Sequence, residues 1–248
     1  MEPAVAQRLI ELNRQFYQTF AGPFSATRQR LQPGVLRILE RLPLDADILD
    51  LGCGNGELWR ALDRAGLRGR YVGLDFSPRL LSIASSQQLE TSGRASFLIA
   101  DLAEPGWDVH LPVASFDFIL AFAVLHHLPG RELHRQVLAR IHSRLAPGGL
   151  FILSVWQFLN SPRLAARIQP WERIGLNPEQ VDPGDYLLDW RQGGSGLRYV
   201  HQFDSVELKG LARASGFNVL EEFRSDGANG HLGLYQVWQP AVNGPPST

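Results

Sequence analysis

The chain predicts an α/β fold: a doubly wound, mostly parallel sheet of seven strands, with helices on both faces and an antiparallel last strand. Three observations carry that prediction. Short apolar runs alternate with helix-forming segments over residues 46–156. The first three runs lead to an aspartate at or near their ends, Asp50, Asp75 and Asp101. The first run also passes directly into a glycine-rich turn that opens a helix.

Each element follows from its local sequence. Ile48, Leu49, Asp50 and Leu51 read as a buried strand closed by a tight turn, with Gly52, Gly54 and Gly56 at alternate positions. Glycines there let backbone approach a ligand closely, and the helix that starts at Glu57 supplies unpaired N–H donors. A dinucleotide fold would need G-x-G-x-x-G, whose last glycine is replaced here by Glu57; Gly56 makes the turn G-x-G-x-G instead. Residues 71–75 form a second strand, after which Phe76 and Ser77 precede Pro78 in the first turn of a helix. An acid at the end of this strand, Asp75, can accept both hydroxyls of a ribose. Residues 95–102 make the third strand, residues 115–122 the fourth, and residues 150–155 the fifth, fed by a turn at 144–149. Asp204 and Glu207 have the spacing of a capping box for a helix through Ala214, ended by Gly216. Residues 217–223 and 232–238 read as the antiparallel final strands.

The strands belong to one domain over residues 1–240, and 241–248 read as a disordered tail. Residues 1–45 are expected to be a helical lid broken by Pro23 and Pro33. Residues 157–202, rich in Trp, Pro, Gly and Arg, form an insertion; connections this long are usually functional, so substrate recognition is expected there.

The glycine turn and the acids downstream of it resemble the motif set of class I S-adenosylmethionine (SAM) methyltransferases, which are Rossmann-like. The resemblance implies SAM as cofactor, held by Asp50, Gly52, Cys53, Gly54, Asn55, Gly56, Asp75, Phe76, Ser77, Asp101 and Leu102. In that family the third acid faces the adenine amino group, and the fourth strand offers carbonyls, here of Ala121 and Phe122, to the methionine ammonium.

A narrower resemblance runs from about residue 13 to 238. Phe24-Ser25-Ala26-Thr27-Arg28, Asp185-Tyr186-Leu187-Leu188-Asp189-Trp190 and Arg198-Tyr199-Val200-His201-Gln202-Phe203 are similar to segments of the tRNA wobble-uridine carboxymethyl ester methyltransferases. That group includes the methyltransferase domain fused to an AlkB-type oxygenase. The resemblance implies esterification of a carboxylate on a modified wobble uridine, with Arg28, Tyr186, Trp190, Arg198, Tyr199 and His201 orienting the substrate. Arg28 could instead pair with the methionine carboxylate. Tyr186 and Trp190 could stack on a base or pin the insertion to the core. Of His126-His127, one is expected to pack beneath the cofactor or cap the next helix, not to bind metal. Departures from the family pattern are Gln32 for tryptophan, Asp189 for proline, which puts a negative charge near the RNA-facing loop, and Asn229-Gly230-His231 without its tryptophan. The eukaryotic members work with a small zinc-binding activator, which makes such a protein a possible partner.

Composition narrows the classes. With 44% apolar residues and 20% charged, the chain can bury a full core, and no apolar run has membrane-spanning length. The one cysteine, Cys53, excludes an internal disulfide and reads as structural, and a reducing cytoplasm is the natural setting. No Cys/His cluster suggests zinc. A net charge of −1 excludes a uniformly basic nucleic-acid binder, although Lys209 is the only lysine among 24 basic residues. Arginine suits bidentate binding of phosphate and carboxylate, and genomic base composition would produce the same bias. Two alternatives to the tRNA enzyme stay open: a small-molecule O- or C-methyltransferase with the same core, and a SAM-binding accessory protein without turnover.

Overall fold

The computed structural model describes residues 1–27, 29–86 and 94–241. Arg28 and the tail from Val242 lie outside them, so the expectations placed there stay as stated. The chain opens with α1 (Pro3–Ala26) and α2 (Pro33–Leu39). The central region runs β1 (Ile48–Leu51), α3 (Glu57–Arg64), β2 (Tyr71–Asp75), α4 (Pro78–Ser86), β3 (Ala95–Ile99), β4 (Phe116–Phe122), α5 (Arg131–Arg144) and β5 (Leu145–Trp156). The insertion holds α6 (Pro162–Ala165), β6 (Ile168–Gln169), β7 (Asp185–Trp190) and β8 (Gly196–His201). The chain closes with α7 (Ser205–Ala214), β9 (Phe217–Ser225) and β10 (Gly233–Pro240).

The main sheet has seven strands in the order β3-β2-β1-β4-β5-β10-β9. β10 runs antiparallel to both of its neighbours, while β1 to β5 pair in parallel. The expected strand number and the single reversed strand are both present. Chain order reverses direction between β1 and β4, and in such sheets the crevice at this switch point, beyond the carboxyl ends, takes the ligand. One face of the sheet carries Leu49, Leu51, Phe116, Phe151 and Trp238 in its core, the other Ile48, Tyr71, Trp59 and Tyr235. α7 begins where expected, with Asp204 accepting the Glu207 amide at 2.7 Å. Only that half of the capping box forms, because the Glu207 carboxylate turns to His201.

Two expectations need correction, and a third holds in altered form. Pro23 breaks the first helix by a kink and not by a stop: α1 is two helical pieces joined at the non-helical Phe20 (φ −104°, ψ 16°). Proline removes the N–H that would reach the Thr19 carbonyl, so the helix bends a turn earlier instead of stopping. β5 starts at Leu145 rather than after the Pro147-Gly148-Gly149 turn, because Leu145 already pairs with Phe116 across an irregularity in the ladder. The insertion is also not loop: β6, β7 and β8 form a second, antiparallel sheet of three strands packed against α1. Leu187-Leu188 side by side hides the alternation of a half-buried strand, because β7 is covered on both faces.

Candidate active site

A cavity of about 470 Å³ opens at the carboxyl ends of β1, β2 and β4. Its floor is the glycine turn. Gly52 takes φ +70°, and a Cβ there would come within 2.6 Å of Val124, so the position excludes side chains on both counts. Gly54 also sits at positive φ, and its N–H donates to Asp75 Oδ2 at 3.0 Å. The Ser77 N–H donates to Asp75 Oδ1 at 2.8 Å. Burial pushes the Asp75 carboxyl up to about 6 against the pull of these two bonds, and pushes Asp50 up to about 7. Asp101 lies further along the wall; its Oδ1 caps the Ala103 amide at 2.8 Å and its Oδ2 accepts Arg14 Nε from α1 at 2.6 Å.

Asp50, Gly52, Cys53, Asn55, Asp75, Phe76, Asp101, Leu102 and Phe122 all line this cavity. Gly54, Gly56, Ser77 and Ala121 do not; the first three shape the turn or hold Asp75, and Ala121 is fully buried. β4 ends at Phe122, where the sequence placed its end, and pairs with β5 as far as Phe122↔Ser154; Phe122 and the following Ala123 line the cavity. Ala123 adopts φ +58°, rare for a residue with a Cβ, and its N–H is held by the Ser154 carbonyl at 3.0 Å. Cys53 is buried and its thiol is pushed well up by that burial, which matches a structural role.

The substrate set divides. Arg198 lines the cavity, its guanidinium 4.9 Å from the Trp156 ring, 5.4 Å from Phe16 and 5.6 Å from Trp190. Trp190 does not line the cavity; it packs edge-on against Phe16 and gives its indole N–H to the Gln192 carbonyl. Tyr186 packs on Phe158, away from the cavity wall. Tyr199 is fully buried, with its hydroxyl on Asp185 Oδ1 at 2.7 Å. His201 places Nδ1 2.7 Å from Asp185 and Nε2 3.1 Å from Glu207, and it faces a different cavity beside His134. Pleating is the reason: successive residues of a strand point to opposite faces, so Arg198 and His201 part company. Asp189 brings no free charge to the surface, being buried and paired with Arg191 at 2.7 Å.

Tyr17 and Asn13 escaped the sequence reading, and they meet the His126-His127 pair at the cavity wall. Tyr17 on α1 meets His127 Nε2 through its hydroxyl at 2.8 Å, and His127 Nδ1 faces the Tyr199 carbonyl at 3.3 Å. His126 Nδ1 accepts the Trp156 amide at 3.3 Å. Both histidines line the cavity and are tied to backbone, and no cluster of His, Cys, Asp or Glu suited to a metal occurs among the described residues. Asn13, on the otherwise apolar buried face of α1, clamps Tyr199 with Oδ1 at 2.8 Å and Nδ2 at 3.2 Å and also donates to the His127 carbonyl at 3.0 Å. A buried polar residue on that apolar face was the sequence signal that could have found it.

A model of the methyltransferase domain family matches residues 24–222. The tRNA (carboxymethyluridine(34)-5-O)-methyltransferase of Schizosaccharomyces pombe is 28% identical over 228 residues, 85% of this chain and 90% of its own. A SAM-dependent methyltransferase structure from Methanosarcina mazei superposes with a TM-score of 0.64 at 21% identity, covering 86% of this chain and 99% of that one. A chain in the complex between the Haloferax volcanii Trm112 methyltransferase activator and a methyltransferase gives a TM-score of 0.64 at 19% identity, covering 91% and 96%. The residues of the cavity fit SAM: acids for the ribose and adenine, a glycine turn for close backbone approach, and carboxylates near a cationic ligand. The chain therefore belongs to the methyltransferase domain family and is a SAM-dependent methyltransferase.

Proposed function

We propose that the enzyme esterifies the carboxylate of a carboxymethyl-type group on a wobble uridine of tRNA. The observation that carries this reading is the division of charge in the cavity. Asp50, Glu57, Asp75 and Asp101 lie on the side built by the glycine turn and the ends of β2 and β3. Arg30, Arg163 and Arg198 come from the lead-in to α2 and from the insertion; of the other charged lining residues, Asp226 accepts the Gly34 amide and the Tyr235 hydroxyl and Arg14 is paired with Asp101. A cationic methyl donor suits the first side and an anionic acceptor suits the second. The kinship with the Schizosaccharomyces pombe enzyme supports the same choice.

Bound SAM supplies an electrophilic methyl group. The protein has little proton chemistry to perform, because a carboxylate is already ionised at neutral pH. Arg198 orients the carboxylate, while Phe16, Trp156 and Trp190 around it exclude water that would otherwise blunt the nucleophile. Arg28 belongs to the proposal as a second orienting group or as the partner of the methionine carboxylate; Ser25 and Arg30 on either side of it line the cavity. Asp75 accepts the ribose hydroxyls, and Asp75→Asn should weaken SAM binding about tenfold or more by calorimetry, since a charged acceptor is lost. With this substrate the enzyme acts in the cytoplasm.

The test is transfer from methyl-labelled SAM to total tRNA that carries unesterified carboxymethyl- or carboxymethoxy-uridine, followed by nucleoside analysis. Base-labile label on a modified uridine is the expected result. The assay is run alone and with a Trm112-type activator. No label in either case, with SAM bound, would overturn the tRNA reading; label on an acid in a metabolite extract would then identify a small-molecule enzyme.

A further inference from the structure

Four arginines among the described residues reach the cavity, and they differ in what already engages them. Arg14 gives Nε to Asp101 at 2.6 Å and a terminal nitrogen to Glu104, so its charge is spent holding α1 to the far wall. Arg198 is buried in its ring of aromatics. Arg30 and Arg163 are exposed at the mouth, and neither makes an ion pair among the described residues. Many other arginines are committed: Arg37 and Arg41 share Glu221, Arg60 holds Glu57 and Arg70 holds Asp47.

Burial separates two kinds of anion. A carboxylate that attacks a methyl group must shed water, which suits the enclosed Arg198. A phosphodiester takes no part in the chemistry and stays hydrated, which suits arginines left in solvent. Arg30 precedes α2 and Arg163 stands on α6, so the two parts of the chain that flank the central strands each place one exposed, uncommitted cation on the lining of the same cavity. A free monocarboxylic acid would need the inner arginine alone. We infer that Arg30 and Arg163 are phosphate contacts that hold the polynucleotide backbone next to the nucleoside whose carboxylate reaches Arg198. This inference rests on the tRNA reading above.

The experiment compares wild-type enzyme with R30Q/R163Q and R30K/R163K in steady-state methylation of tRNA at several salt concentrations. SAM affinity by calorimetry checks that each variant is folded. The expected result for R30Q/R163Q is a KM for tRNA raised about tenfold or more, with kcat at saturating tRNA within about twofold, because these arginines position the chain and do not touch the reacting atoms. The logarithmic salt slope should fall by roughly 0.7 for each single-strand phosphate that the variant no longer neutralises. The lysine pair should restore most of the affinity, since binding a phosphate needs charge more than a planar fork. An unchanged KM and salt slope in R30Q/R163Q would overturn the inference while wild-type label on tRNA keeps the tRNA reading. A fall in kcat with unchanged KM would also overturn it, moving the arginines to the reacting carboxylate. Wild-type enzyme that neither labels nor binds tRNA would sink both.

Discussion

Arg198 and His201 lie three positions apart on β8, and the two faces of that strand do different work. On one face, Arg198 stands among Phe16, Trp156 and Trp190 at the wall of the cavity. On the other, Tyr199 and His201 converge on Asp185 of β7, directly opposite His201 in the ladder. Both faces hold buried polar groups. The first surrounds its cation with rings at the wall of the cavity; the second surrounds its cation with carboxylates. A ring face attracts a guanidinium by about 1 kcal/mol without neutralising it, so an anion can still be drawn to it, whereas two carboxylates consume the charge they hold. In the function proposed above, packing of the first kind leaves a charge for the substrate, and packing of the second kind holds the fold together.

The strongest way to break this comparison is Arg198→Ala. It should lower kcat/KM for methyl transfer about a hundredfold or more, with SAM affinity within about twofold, since a positioned charge at the reacting group is removed. Retained turnover would take Arg198 out of the reaction. His201→Ala should show the reverse pattern. It leaves the Asp185 and Glu207 carboxylates without the cation between them and should cost about 3 kcal/mol in chemical denaturation, with turnover per folded molecule little changed.

The same residue sets a pH arm. Burial opposes charge on His201, but the bonds to Asp185 and Glu207 outweigh it and raise the ring from 6.5 to about 9. Because the folded value lies above the unfolded one, its stabilisation is complete below about pH 6.5 and is lost as pH rises through about 9. Thermal melts from pH 6 to pH 10 should therefore show an alkaline decline in wild type that His201→Ala lacks. A parallel decline in both would show that another group titrates there.

Asn13→Ala sharpens the comparison, because Asn13 touches both regions. It strands the Tyr199 amide, removes one of the two partners of the Tyr199 carbonyl and the bond to the His127 carbonyl, and should cost about 2 kcal/mol. It should also lower turnover, since α1 carries Tyr17 into the cavity wall and Phe16 into the group of rings around Arg198. The smallest effect belongs to Tyr199→Phe, about 1 kcal/mol of stability for the missing bond to Asp185 and no change in kcat.

Much of the cofactor side was legible because its determinants are local. A glycine at positive φ, an aspartate that accepts the amide two residues on and a helix that begins within one turn all involve neighbours in sequence. The substrate side was legible only as a region. Arg198, Tyr199 and His201 stood together as one candidate group, because residues 157–202 were taken as connection, and in a connection neighbours can share a surface. Once β7 and β8 pair, the pleat assigns Arg198 to the cavity and sends Tyr199 and His201 behind it.

The sequence by itself determined the alternating core, the order of its acids and the chemistry of the glycine turn, since backbone conformation and strand burial are written in residues close together. Only the tertiary structure decided which polar residues of the lid and the insertion face a ligand. That choice depends on α1 lying against β8 and on the register of Asp185 with His201, and both are set by contacts between residues far apart along the chain.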